Sequence, residues 1–159
     1  MLHRMAVGVI AAMLGALLAA GGDHAGAQDK GAIIKQRQAL MKQQAEALKV
    51  IQNYVSGSAD RDTAIAKVTE LLTLPPKITD LFPPGTSMVE FPGATHAKPE
   101  IWGQWDRFKD VPSALRRAEQ RLADAIKTGS KQDVLDELDT VGRTGCGACH
   151  TYFRAPLDD

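Results

Sequence analysis

The chain has 159 residues, 44% hydrophobic and 5% aromatic, and its 19 Lys/Arg offset 19 Asp/Glu to a formal net charge of zero. With no polybasic run, that balance argues against nucleic acid or an anionic membrane surface as a partner. The length suits one domain with its own core.

At the N-terminus, Arg4 precedes the apolar run Ala6–Ala20, and Ala25-Gly26-Ala27 supplies the small residues that a signal peptidase reads. The pattern predicts a cleaved secretory signal peptide over 1–27 and a single domain over 28–159. A membrane anchor is the competing reading, but the run falls short of the roughly 20 residues that a bilayer requires. No stable membrane insertion is therefore expected after cleavage. The remaining chain carries only His96 and His150 as histidines and Met41 and Met88 as methionines, so imidazole and thioether ligands are few.

A helical period runs from Gly31 to Val55, through Ile34, Arg37, Leu40/Met41, Ala45, Leu48, Ile51/Gln52 and Val55, with Lys and Gln on the opposite face. Gly57 should stop it. A second helix is predicted from an N-cap at Asp60, with Ile65, Val68, Leu71 and Leu72 inward, until Pro75-Pro76 ends it. From Pro75 to Lys98 the prolines and glycines forbid a long helix, while Ile78, Phe82 and Phe91 suggest a loop packed on the body. Loops of this length in a compact domain tend to be functional or to cover something.

Pro99 suits the first turn of a third helix, with Trp102, Trp105, Phe108, Leu115, Leu122 and Ile126 inward and a kink expected at Pro112. Ser130-Lys131-Gln132-Asp133 approximates a capping box for a fourth helix that continues through Cys146, Cys149 and Phe153 to Pro156. No segment shows sustained strand alternation. The expected fold is all-α, an antiparallel four-helix bundle with a long Pro-rich loop between helices 2 and 3.

The fourth helix contains Cys146-Gly147-Ala148-Cys149-His150. Residues three and four apart share a helix face, so both thiols and the imidazole should point together. Cys-x-x-Cys-His is the signal for c-type haem attachment: two thioethers hold the porphyrin while the adjacent imidazole reaches the iron. A zinc site would need a fourth ligand, which only distant His96 could offer. A thioredoxin-like pair would open a helix after a strand rather than lie deep inside a helical pattern. A plain disulfide would leave His150 without a role.

Three segments, KQRQALMK, AKPEIW and CGACHTYFR, together resemble the class II cytochromes c, the cytochrome c-prime family, over nearly all of the chain after the leader. The resemblance implies one covalently attached haem c, with Cys146 and Cys149 as thioether anchors, His150 as axial ligand and Arg37 as the basic residue near the haem propionates. Arg154, four after His150, matches a basic residue of the family, while Phe153 stands where many members have Tyr. Within that family, five-coordinate members carry an apolar residue of the first helix over the iron and can bind NO or CO. Low-spin members carry a Met there. Counting four from Arg37 reaches Met41, although Leu40 next door leaves the register open.

The resemblance and that count predict a low-spin His150/Met41 iron. The expected function is a periplasmic electron carrier of bacterial origin, serving redox partner proteins as a monomer or homodimer. The alternative is a gas-binding protein with a vacant distal site. No convergent acid, base or nucleophile set suggests an enzyme.

Overall fold

The computed structural model describes residues 22–157. Residues 1–21 of the expected leader lie outside them. The first helix, α1, spans Gly22–Ser56 and α2 spans Arg61–Leu71. A short α3, Glu100–Gly103, leads into the long α4, Trp105–Thr128. The last rod begins as α5, Lys131–Thr140, widens into a π-helical stretch over Val141–Gly147, and ends as α6, Ala148–Phe153. No strand occurs among the described residues; an isolated bridge joins Ala97 to Arg154. The helices close into a ring, α1 on α2, α2 on α4, α4 on α5 and its π stretch, and α5 back on α1. The all-α bundle expected from the sequence is the fold observed.

Local signals explain the joints. Gly57 ends α1 at φ +87°, a conformation that a Cβ would strain. Asp60 caps α2, its carboxylate accepting from the Thr63 amide at 2.7 Å. Ser130 and Asp133 form the expected reciprocal capping box, the shorter acid serving as well as Glu would. Two details depart from expectation. The third helix breaks at Gln104, at φ −123° and ψ 42°, into α3 and α4, with Pro112 buried inside α4. Gly31, taken as the first helix start, lies inside α1, where an added Cβ would meet nothing within 4 Å.

The inward face of α1 also differs from the one expected. Arg37, Leu40, Gln44, Ala47, Ile51 and Tyr54 are buried, whereas Ala45 and Gln52 are exposed. These buried positions alternate in steps of three and four, the seam spacing of packed helices. The polar side chain of Gln44 hid that register in the sequence.

The core is aliphatic along α1, α2 and α4 and aromatic at the end near the cysteines. There Phe108 meets Phe82 at 4.8 Å and Phe153 at 5.4 Å between ring centroids, both edge to face. This cluster fixes α4 against α6 and the Pro-rich loop.

Candidate functional site

The loop between α2 and α3 is a tethered strap. The Met88 amide donates to the Ala97 carbonyl at 2.7 Å, the Lys98 amide to the Phe153 carbonyl at 3.0 Å, and the Ala155 amide to the His96 carbonyl at 2.8 Å. Trp102 Nε1 donates to the Phe82 carbonyl at 3.0 Å. The strap is thus bonded directly to the chain that follows His150. The expectation of a loop packed on the body and covering something is met: Phe82, Thr95, His96 and Ala97 line a cavity beneath it.

Two adjoining cavities lie between α1 and the cysteine-bearing rod, with about 640 and 820 Å³ of empty space including their open mouths. Both are lined by Met41, Cys149 and His150; Cys146 lines the first, Arg37 and Arg154 the second. The register question at α1 is answered by burial: Leu40 is in the core, and Met41 faces both cavities.

The π stretch sets the pose of the cysteine motif. The wider turn runs into the motif as far as Gly147 and includes Cys146, a distortion frequent at functional sites. Gly145 within it lies so near α4 that an added Cβ would fall 2.5 Å from Leu115 Cδ1. Sequence reading missed this turn, although Gly142, Gly145 and Gly147 clustered inside a helical pattern are the signal that could have raised it.

Cys146 and Cys149 are both free thiols, not joined to each other. Burial pushes the Cys149 thiol up to about 11, with Cys146 adding to the effect and Arg154 opposing it. Burial, then the Glu119 carboxylate, raises Cys146 as well. Reactive dithiols are shifted the other way, so the redox-pair reading loses its physical basis. Among the described residues no three His, Cys, Asp or Glu side chains are grouped to hold a metal ion, which leaves the zinc reading without its ligand set. Burial first, and the positive Arg154 second, lower the His150 pKa, favouring a neutral imidazole with a lone pair for a metal.

Arg37 tests the fit of a haem most directly. Its side chain is 4% exposed, and burial lowers its pKa to about 10. It donates from Nη2 to the Thr86 carbonyl at 3.0 Å and to Thr95 Oγ1 at 2.9 Å, and its Cζ lies 4.3 Å above the Phe82 ring. No acidic side chain pairs with it among the described residues. A buried guanidinium facing a cavity without a carboxylate suits a cofactor that brings one. With two free thiols and a neutral imidazole on the same cavities, the residues fit haem c.

His96, distant from the cysteine motif in sequence, lines the second cavity along with His150. Met88 stays outside both cavities at 36% exposure, as its loop position implied. Sequence reading missed Gln44, which lines the first cavity, and Glu119, buried on α4.

Comparison with known proteins agrees with this geometry. The family described as Cytochrome C' matches residues 32–154. Cytochrome c' of Rhodospirillum rubrum is 37% identical over 98 residues, which span 62% of this chain and 60% of that relative. Among solved structures, cytochrome c' from Rhodobacter Spheriodes superposes with a TM-score of 0.72 at 27% identity, covering 80% of this chain and 98% of that one. A ferrous variant of cytochrome c prime from Alcaligenes xylosoxidans with bound NO gives a TM-score of 0.66 at 28% identity, covering 79% and 94%.

These matches correct the functional expectation. The carrier with a His150/Met41 iron gives way, because the family found is that of the five-coordinate, gas-binding members. The physical reason is that occupying the ligand position on α1 does not make a residue a ligand; a half-buried thioether also serves as an apolar wall. The chain therefore belongs to the cytochrome c' family of class II c-type cytochromes, four-helix bundles that bind haem c, and Cys146 and Cys149 fit its covalent attachment.

Proposed function

We propose that this protein binds small gases such as NO or CO on the α1 side of a haem whose iron is ligated by His150 alone. The observation that carries the reading is the family match across residues 32–154, together with a relative of the same fold solved with bound NO.

Cys146 and Cys149 would anchor the porphyrin through thioethers, and the neutral His150 imidazole would be the group to ligate its iron. When bound, the haem supplies one vacant coordination position. Met41 and Leu48 keep water from it by lining the α1 side with apolar surface. Arg37, held by Thr86 and Thr95, offers a guanidinium to a haem carboxylate and so orients the ring. Burial, with the positive charge of Arg154 adding to it, keeps the His150 imidazole unprotonated. The site is built for binding rather than turnover.

The same reading places the protein in a bacterial periplasm after cleavage following Ala27, as a monomer or homodimer. No helix among the described residues is long and apolar enough to cross a membrane.

The test is the visible spectrum of the ferrous holoprotein with and without CO. A broad high-spin spectrum that CO converts is expected. Sharp low-spin bands that CO leaves unchanged would overturn the proposal.

A further inference from the structure

The α1 wall of the first cavity is apolar through Met41, Ala45 and Leu48, with one exception. Gln44 lies one helical turn beyond Met41 and is 5% exposed, yet its Nε2 has no hydrogen-bond partner among the described residues. An unpartnered buried amide loses its hydration for nothing, and such groups are rare enough in folded proteins to need a reason. Glu119 Oε2 is the other buried side-chain polar atom without a partner among the described residues, so the two do not bond to each other. Glu119 also stands outside the lining of this cavity, whereas Gln44 is part of it.

The geometry points to Gln44 as a hydrogen-bond donor to the ligand held in this cavity, so that the site selects ligands whose far atom accepts a hydrogen bond. The inference rests on the vacant-site reading above and adds a discrimination that Met41 and Leu48 cannot supply. Apolar walls distinguish small ligands mainly by size, whereas a buried donor penalises a ligand unable to satisfy it. Cyanide carries negative charge and accepts strongly through its nitrogen; CO accepts poorly. Chemistry of the first kind should gain from the amide and the second should not.

Two probes on the holoprotein separate these cases: cyanide added to the ferric form and CO added to the ferrous form, each titrated by absorbance. Gln44→Leu and the unbranched Gln44→Met both delete the donor, and the second preserves the side-chain length should the first fail to fold. A lost hydrogen bond to a charged acceptor corresponds to an affinity for cyanide about 10-fold weaker, with CO affinity within about 2-fold of wild type. An unchanged ratio of cyanide to CO affinity in either folded variant would overturn the assignment of Gln44 while leaving the vacant site intact. A wild-type protein that binds neither probe would overturn both.

Discussion

Glu119 offers a quantitative test of the packing around the cysteine-bearing rod. It sits on α4 one turn beyond Leu115, is 1% exposed, and has an Oε2 without a partner among the described residues. Burial raises its pKa from the ordinary 4.5 to about 8, with the nearby Arg116 charge opposing the rise. The folded state thus keeps a proton that the unfolded chain releases near 4.5. Its contribution to stability is complete below that value, declines as the pH climbs, and is gone above about 8. The interval of roughly 3.5 pH units, at about 1.4 kcal/mol each, amounts to about 5 kcal/mol across the whole window. Between pH 6 and pH 9 the share lost is about 2–3 kcal/mol.

Glu119→Gln keeps the shape and removes the titration. Urea unfolding of the holoprotein and the variant at both pH values should show the wild type losing about 2–3 kcal/mol more than the variant on going to pH 9. Parallel pH profiles would refute the reasoning, because they would mean that Glu119 meets solvent or a partner in the folded protein.

Other expectations follow from single contacts. Met41→Leu should leave the ferrous spectrum high-spin and the CO response intact; conversion from a low-spin to a high-spin spectrum would restore Met41 as a ligand. Arg37→Leu removes the bonds to Thr86 and Thr95 and should cost about 3 kcal/mol in urea unfolding. Faster amide exchange at Met88 and Lys98 should accompany that loss, and unchanged exchange would show that the strap does not depend on the guanidinium. Gly145→Ala places a methyl group against Leu115 and should destabilise by about 1–3 kcal/mol, read as a lower unfolding midpoint. Ser130→Ala, which breaks the α5 cap, should cost about 1 kcal/mol by the same measurement.

What the sequence could reveal depended on how local each cause was. The caps at Asp60 and Ser130 are written within four residues, and both formed as expected. Cys146, Cys149 and His150 were legible as a motif within five residues, but the π-helical turn that carries Cys146 to the same cavity was not. Arg37 was recognisable as a residue of interest, but its partners Thr86 and Thr95 lie 49 and 58 positions away and carry no local signal. Gln44 was assigned to the solvated face because amides usually are, although the three-four alternation through Leu40 and Ala47 ran through it. Glu119 was passed over in the same way between Leu115 and Leu122. Whether Met41 binds iron was undecidable by spacing, because a wall and a ligand occupy the same place on a helix.

The strap has a consequence for anyone mutating this loop. Fastened at one margin to the first helix through a guanidinium and at the other to the polypeptide just past the imidazole, it joins the two walls of the cleft like a clasp. A substitution at Thr86 or Thr95 should therefore be felt on both walls at once. Variants in this loop are better judged by absorbance and ligand affinity than by melting temperature alone.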